Sequence, residues 1–225
     1  MHRIAIAIGS ALAVSTSALA GGLVAPYTET FDADSANWTN FNSSGNLDWF
    51  SNGGPADSAY ASGTYNLENA SGMFPPVVLR AQQDANASGG AFVGNWIESG
   101  VIGFSFDIRH DLDQPVTIFG RFATPQNNPG ASANSSITVE PNTWTTVTFD
   151  LTPDSADIIS FGSGDYESVF SNIGNIQLGF YVPDGLAGQD IPMRVDIDNA
   201  GLVIPTPGSA ALLGVAGLAL VRRRR

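Results

Sequence analysis

The side chains that most often perform catalysis are scarce in this sequence. Apart from His2, His110 is the only histidine, so a Ser-His-Asp triad or a histidine metal site would have to form around it. Glycoside hydrolysis needs two carboxylates about 5–9.5 Å apart, and 21 acidic residues supply such pairs by chance. The sequence has no glycine-rich phosphate loop and no dinucleotide fingerprint. We therefore predict no enzymatic activity, and a secreted polysaccharide-active enzyme is the least favoured alternative.

The composition excludes several further classes of protein. The 225 residues include no Cys, which excludes a disulfide framework, thiol catalysis and zinc bound by Cys. All nine basic residues are Arg, and five of them lie at the chain ends. Residues 21–204 carry four Arg against all 21 acids, a formal net charge of −17. Such a surface repels phosphate polyanions, so we predict no nucleic-acid partner.

Short strands must position the remaining functional groups. Gly, Ser, Asn, Asp, Thr and Pro are dense in residues 21–204, and no stretch of 12 or more residues has a helical period. The segment Val101–Arg109 alternates, which directs its apolar members from Ile102 to Ile108 inward and Asp107 and Arg109 outward. Further strands are predicted at 24–31, 77–81, 91–96, 116–122, 144–151, 176–180 and 194–198, with a short helix or turn at 165–173. Eight or more such strands indicate an all-β fold, an antiparallel two-sheet β-sandwich of jelly-roll type.

The amino terminus has the layout of a secretory signal peptide. Met1-His2-Arg3 supplies the charge, residues 4–14 are largely apolar, and Ala18-Leu19-Ala20 provides a small-residue cleavage site. We expect cleavage after Ala20. The chain is thereby divided into a signal peptide (1–20), a folded domain (21–204) and a tail (205–225).

The tail combines a proline motif, a short apolar run and a terminal arginine cluster. The 13 residues 209–221 would rise about 20 Å as a helix, short of the roughly 30 Å hydrocarbon core of a bilayer. The segment therefore spans a membrane only by recruiting residues back to Ile204. The terminal Arg would stay cytoplasmic, which leaves residues 21–204 outside the cell, in agreement with the signal peptide.

This tail resembles the PEP-CTERM sorting signal of bacterial exosortase substrates. Pro205, Thr206 and Pro207 stand where the family pattern has Pro-Glu-Pro, with Thr206 in place of the Glu. The matching terminal cluster is Arg222, Arg223, Arg224 and Arg225. The resemblance implies an exosortase-type processing enzyme as partner, membrane contact through the short transmembrane helix before processing, and delivery to the cell envelope, surface or extracellular matrix. An ordinary anchor that is never cleaved is the alternative.

The folded domain resembles the galactose-binding-domain-like jelly rolls of carbohydrate-binding modules. The matching pieces are Glu29-Thr30-Phe31-Asp32, Phe104–Arg109, Trp144–Leu151 and Val195–Asn199. Residues 104–199 are also similar to laminin B (domain IV) modules. Both resemblances imply a binding or adhesive role and leave the ligand open.

In jelly rolls of this kind a structural calcium commonly ties the first strand to the last. The acids at these places are Glu29 and Asp32 at the start and Asp196 and Asp198 at the end. Alternation puts Asp196 and Asp198 on one face, where both could reach an ion that takes 6–8 oxygen ligands. Simple solvation of these acids on an outward face is the equal alternative.

Sugar binding in such modules rests on exposed aromatic rings that stack on pyranose faces, with amide and charged side chains as hydrogen-bond partners. We predict that four aromatic residues in loop-like, polar segments form the binding surface: Trp49, Tyr60, Tyr65 and Trp96. Ordinary packing is the alternative for each. Trp38 and Trp144 are predicted to lie in the core.

These features together predict an exported bacterial surface or matrix protein. Its jelly-roll domain would bind an extracellular polysaccharide or matrix, with a structural calcium, and its tail would be sorted by an exosortase-type system. A structural or adhesive envelope protein without a saccharide site is the main alternative.

Overall fold

The computed structural model describes residues 21–71 and 74–205. The predicted signal peptide and the sorting residues from Thr206 onward, including the terminal Arg cluster, lie outside the described residues. Within the two described ranges, no helix has the length and apolar character needed to cross a membrane. The three-part division of the chain stays a prediction.

The described residues form short strands joined by turns, as the dense turn residues predicted. The strands are β1 (Thr28–Glu29), β2 (Asp48–Phe50), β3 (Tyr60–Asn66), β4 (Val77–Gln82), β5 (Gly103–His110), β6 (Val116–Ala123), β7 (Gly130–Val139), β8 (Thr145–Asp150), β9 (Ile158–Ser160), β10 (Asn175–Phe180) and β11 (Pro192–Val203). The helix α1 covers Tyr166–Phe170, and short 3₁₀ segments cover Pro55–Asp57, Leu67–Asn69 and Ala87–Gly90.

The strands form two antiparallel sheets, which confirms the predicted all-β jelly-roll sandwich. The six-stranded sheet has the order β2-β3-β11-β5-β8, with β1 paired to the far end of β11. The five-stranded sheet has the order β4-β10-β6-β7-β9. The longest strand, β11, lies between β3 and β5, so the end of the domain is hydrogen-bonded into the centre of its sheet.

An aromatic layer joins the two sheets. Phe104 and Phe106 of β5 and Phe149 of β8 point inward from the six-stranded sheet, and Phe122 of β6 points inward from the five-stranded sheet. Their neighbouring ring centroids lie 5.8–5.9 Å apart, and all four side chains are fully buried. Each such ring pair contributes about 0.5–1.5 kcal/mol beyond the apolar area that it buries.

The predicted alternation of β5 is largely confirmed. Phe104, Phe106 and Ile108 are buried, and Asp107 and Arg109 face outward. Ile102 was predicted to point inward but is 40% exposed, and it lies just before the first residue of β5, Gly103.

The predicted strand at 91–96 is wrong. These residues form turns that close one end of the sandwich beside α1, where the Trp96 backbone N–H donates to the Phe170 carbonyl at 2.9 Å. The predicted helix is confirmed as Tyr166–Phe170. It is capped by Asp165, whose carboxylate accepts from the Ser168 backbone N–H while the Ser168 hydroxyl accepts from the Asp165 N–H.

Two long strands, β3 and β7, were not predicted because their inward positions are small. In β7 the inward side chains include Ala131 and Ala133, and in β3 they include Ala61 and Gly63. A Cβ on Gly63 would come within 3.0 Å of the Leu79 side chain, so the opposite sheet fills this space. Such strands lack the large apolar alternation that marks β5 and β8.

The structure predicts unequal roles for two Trp residues. Trp96→Ala removes a side chain that is 1% exposed and contacts Phe104 and Phe122, so we expect a loss of about 3–5 kcal/mol in the free energy of unfolding. Trp49→Ala removes a ring that is 38% exposed and should cost clearly less. Urea unfolding followed by circular dichroism measures both, and equal losses would contradict this packing.

Candidate functional site

The four predicted aromatic residues do not share a surface. Trp96 and Tyr65 (6% exposed) lie in the core, so neither can stack on a ligand in this structure, which corrects their assignment. Tyr65 belongs to β3, where alternation points it inward towards Phe180. Trp49 lies on the edge strand β2, and its indole N–H donates to the Phe31 carbonyl at 2.6 Å.

Tyr60 lies on the outer face of the six-stranded sheet, but it is only 5% exposed because Phe50, Trp144 and Arg109 pack against its ring. It therefore cannot stack on a ligand in this structure, which corrects its assignment as well. The guanidinium carbon of Arg109 is 5.2 Å from the Tyr60 ring centroid and 4.6 Å from that of Trp144. Trp144 is therefore not a core residue, contrary to the prediction; it is half-buried above the sheet. Arg109 and the Trp144 indole both donate to the Gly53 carbonyl, which holds the turn before β3 over this face.

Asp196 is the charged centre of the same face. Arg109 contacts one carboxylate oxygen of Asp196 through Nε at 2.9 Å and Nη2 at 2.7 Å. Arg194 lies 3.3 Å from the other oxygen, which also accepts from the Ser62 hydroxyl at 2.7 Å. Asp196 is fully buried and is neutralised by two guanidinium groups.

Asp198 is buried on the same face as Asp196, so the shared face predicted from alternation is confirmed while simple solvation is not. Its carboxylate accepts from the Ser58 hydroxyl at 2.6 Å and from the Asn199 backbone N–H at 2.7 Å. Burial raises the pKa of Asp198, and the negative charges of Asp107 and Asp32 raise it further against these hydrogen bonds.

The four acids predicted to hold calcium do not fit one shared site. Both carboxylate oxygens of Glu29 are engaged, one by the Tyr27 hydroxyl at 2.8 Å and one by the Phe31 backbone N–H at 3.0 Å. The Asp196 carboxylate is paired with Arg109 and Arg194. Across residues 21–71 and 74–205, no three His, Asp or Glu side chains gather in a group that could hold a metal ion. Within the predicted set, the negative charge of Asp32 is one of the causes that raise the pKa of Asp198.

The outer face of the five-stranded sheet carries a different arrangement. Arg80 of β4, Gln177 of β10 and Arg121 of β6 are direct cross-strand partners, and we call these three residues the arginine row. The row continues to Ser132 of β7. Because neighbouring strands lie about 4.8 Å apart, the backbones of Arg80 and Arg121 are about 10 Å apart, with the Gln177 amide between them.

Asn127, in the turn between β6 and β7, organises one side of the arginine row. Its side-chain oxygen accepts from Arg121 Nη1 and from Gln177 Nε2, the latter at 2.7 Å, and its backbone carbonyl accepts from Arg121 Nη2. A Cβ on Gly130 would lie 2.7 Å from the Arg121 guanidinium, so a larger residue at this position would displace the guanidinium. These contacts fix the guanidinium and the amide in place on the sheet face, where Gln177 is only 4% exposed and therefore orients its neighbours.

Arg80 is half-buried at the other end of the row, and its Nε donates to the Phe41 carbonyl at 3.0 Å. Burial lowers the pKa of Arg80, and the positive charge of Arg121 lowers it further. Burial also lowers the pKa of Arg121. The charges of these two side chains are thus close enough to interact.

An aromatic patch lies on the same face, further along β10. Tyr181 follows the strand and is 36% exposed, and its ring meets Phe119 edge to face at a centroid separation of 6.0 Å. Its hydroxyl donates to the Asn134 side chain at 2.9 Å. Tyr181 is four residues from Gln177, or about 13 Å along the strand. The face therefore combines an exposed ring with amide and guanidinium groups.

A polar cleft of about 540 Å³ lies at the end of the sandwich, beside the turn that holds Asn127. Two carboxylates, Glu98 and Glu167, are among its lining residues, and both are exposed. A glycosidase acid relies on burial to keep its proton near neutral pH. The cleft provides no such burial for either carboxylate, so it does not match the requirement for an acid pair in a deep cleft.

The arginine row was missed by the sequence analysis, although part of its signal was available. Arg80, Gln177 and Arg121 all lie in predicted strands, and alternation would have directed them outward. The order β4-β10-β6 could not be obtained from alternation, because these strands are far apart in the chain.

The sequence has no detected relative among known families. No protein-family model matches the chain, and no curated protein matches it either. The fold, in contrast, is found in solved structures. An exo-β-agarase is similar with a TM-score of 0.50 at 16% identity, over 80% of this chain and 25% of its own. This likeness shows a shared fold.

Carbohydrate-binding modules are among the other structural neighbours. The family 11 module of a cellulosomal cellulase from Clostridium thermocellum is similar with a TM-score of 0.47 at 13% identity, over 82% of this chain and 97% of its own. The Clostridium thermocellum xylanase 10B, with a family 22 module and bound xylohexaose, has a TM-score of 0.47 at 12% identity over 79% of this chain and 28% of its own. This chain thus spans only 25–28% of the agarase and xylanase chains.

The raised pKa of Asp198 predicts a pH-dependent stability. The folded protein binds the Asp198 proton more tightly than the unfolded chain, in which the pKa of this carboxyl is 3.8. The free energy of unfolding therefore falls as the pH rises from about 3.8 through the pKa of the folded state. Asp198→Asn removes this loss. We expect the Tm difference between the variant and the wild type to be more favourable near pH 7 than near pH 3, measured by thermal unfolding. The exposed Asp184→Asn serves as control, and an equal difference at both pH values would contradict the prediction.

The engaged carboxylates predict the response to calcium. Because Glu29 and Asp196 are already held by protein groups, we expect millimolar calcium to leave the Tm unchanged. A ligand that binds only the folded state must raise it. A rise in Tm with calcium that disappears in Asp198→Asn would instead support the calcium site.

Proposed function

We propose that residues 21–204 form a carbohydrate-binding domain, and that the outer face of the five-stranded sheet binds the saccharide. The proposed protein is exported, bacterial and non-catalytic. The observation that carries the proposal is the arginine row, in which fixed amide and guanidinium groups lie across three adjacent strands beside an exposed aromatic ring.

The polar groups of this face suit sugar hydroxyls. Asn127 uses its side-chain oxygen and its carbonyl to hold Arg121 and Gln177, which leaves other N–H groups of the half-buried Arg121 without partners among the described residues. Saccharide sites combine such convergent polar groups with apolar surface. Because the groups are already held in place by the sheet and by Asn127, a ligand loses little additional freedom in binding them.

Tyr181 supplies the apolar part of the proposed site. A partly exposed ring can cover the apolar face of a sugar, and its hydroxyl is held by Asn134. The separation of about 13 Å between Tyr181 and Gln177 along β10 suits an oligosaccharide rather than a single sugar. The ligand would therefore lie along β10 and cross the arginine row.

The names of the structural neighbours agree with this proposal. The xylanase is described in complex with xylohexaose, and a family 11 module is described in complex with a β-1,3-1,4-mixed-linked tetrasaccharide. For this chain we propose the same class of ligand, a polysaccharide. The argument for its position rests on the residues of the five-stranded sheet.

We further propose export and surface sorting from the two chain ends. The first 20 residues have the charge, apolar run and cleavage site of a signal peptide. The Pro-Thr-Pro motif, short apolar run and terminal Arg cluster support an exosortase-type enzyme as the processing partner. The binding domain would then act at the cell surface or in the extracellular matrix.

Two substitutions on the proposed face test the saccharide site. We expect Tyr181→Ala and Arg121→Ala each to weaken polysaccharide binding by about tenfold or more, which corresponds to about 1.4 kcal/mol. The measurement is a glycan array followed by calorimetry on the polymers that bind, including xylan, mixed-linked β-glucan and agarose.

Thr148→Val is the matched control, because Thr148 is exposed on the outer face of the other sheet. Binding that survives both substitutions would place the ligand elsewhere, with the cleft of Glu98 and Glu167 as the next place to test. A wild-type protein that binds no glycan would favour the structural envelope alternative.

A further inference from the structure

The four Arg residues of the described domain fall into two pairs with opposite charge environments. Arg109 and Arg194 share the buried carboxylate of Asp196 on the six-stranded sheet. Arg80 and Arg121 have no carboxylate within 4 Å in the described part of the chain. This is unusual where 21 acidic residues are available.

The unpaired charges lie close together and are partly buried. Arg80 and Arg121 flank Gln177 in the arginine row, and each is half-buried. Burial lowers the pKa of both guanidinium groups, and the charge of Arg121 lowers the pKa of Arg80 further. Two like charges held in this way cost free energy that an internal carboxylate or a bound anion would recover.

The two guanidinium groups retain donors for a ligand. Arg80 uses Nε for the Phe41 carbonyl, and its two terminal nitrogens have no partner among residues 21–71 and 74–205. Arg121 uses one N–H from each terminal nitrogen for Asn127, which leaves its Nε–H and one N–H on each terminal nitrogen. A planar guanidinium fork matches a planar carboxylate with two parallel hydrogen bonds.

We propose that the arginine row recognises the carboxylate of a uronic acid unit in the bound polysaccharide. This inference rests on the proposed function and assigns its ligand class. Arg80 and Arg121 bind the carboxylate, while Tyr181 contacts the neutral part of the chain.

The net charge restricts the ligand further. The formal charge of −17 on residues 21–204 repels a polymer with a charge on every sugar. An acidic unit that occurs once among neutral sugars places one negative charge at the arginine row, and the neutral sugars beside it are not repelled by the acidic surface of the protein. We therefore assign a mainly neutral polysaccharide with isolated uronate units.

The test compares acidic polymers with their carboxyl-reduced forms. Full-length protein is titrated by calorimetry with glucuronoxylan, polygalacturonate and alginate, each before and after reduction of the carboxylates to alcohols. We expect glucuronoxylan to bind about ten- to hundredfold more tightly than its reduced form, because charge-assisted hydrogen bonds are lost on reduction. The preference should weaken with increasing salt.

Variants assign the effect to the arginine row. Arg80→Gln and Arg121→Gln should lose the preference for glucuronoxylan over its reduced form, and this ratio is the readout for each variant. Tyr181→Ala should weaken binding of both forms by the same factor. Arg194→Gln is the control, because it removes the same charge from the opposite sheet and leaves Asp196 paired with Arg109.

The possible results separate this inference from the proposed function. Equal wild-type binding of acidic and reduced polymers would overturn uronate recognition and leave saccharide binding intact. Binding of none of the polymers, acidic or reduced, would contradict both proposals. Loss of the preference for the acidic polymer in Arg194→Gln would also overturn uronate recognition by the arginine row, because the preference would then reflect the total charge of the protein. Tighter binding of a sulfated galactan than of glucuronoxylan would overturn the carboxylate assignment.

Discussion

The aromatic layer between the two sheets determines which side chains face outward throughout the domain. Phe104, Phe149 and Phe122 are fully buried in mutual contact, so the pleat of β5, β8 and β6 cannot shift by one residue without exposing them. Because Phe122 points inward, its neighbour Arg121 must point outward. In the hydrogen-bonded register, Gln177 of β10 lies directly opposite Arg121, and Arg80 of β4 lies directly opposite Gln177, so all three side chains point to the outer face.

The two outer faces differ in whether their guanidinium groups are paired with a carboxylate. On the six-stranded sheet, Asp196 is buried beneath Arg109 and Arg194, and the turn at Gly53 covers the cluster. Removal of both partners would leave an uncompensated buried charge, so this face stabilises the fold. On the five-stranded sheet the cations are held by Asn127 and the Phe41 carbonyl, which orient them without neutralising them. That difference makes the second face the better candidate for a ligand site.

Side-chain size explains which elements could be predicted from the sequence. Strands with large alternating side chains, such as β5 with Phe104 and Phe106, were predicted nearly to the residue. The strand β7 was missed because Ala131 and Ala133 give no such contrast, although both are fully buried. The aromatic residues were harder to place, because a Trp in a polar segment can face either way. Trp96 caps the core while Trp144 covers Arg109 outside it.

The sequence by itself determined the all-β sandwich, the inward faces of its most regular strands and the strong acidity, and it is the basis for the signal peptide and the sorting signal predicted at the chain ends. These properties depend on local alternation, composition and terminal motifs, which can be seen within a few residues. Only the tertiary structure decided that Arg80, Gln177 and Arg121 form one row and that Arg109 pairs with Asp196. Both arrangements join strands separated by 40 or more residues, and the pairing of such strands depends on how the whole core packs rather than on any local pattern.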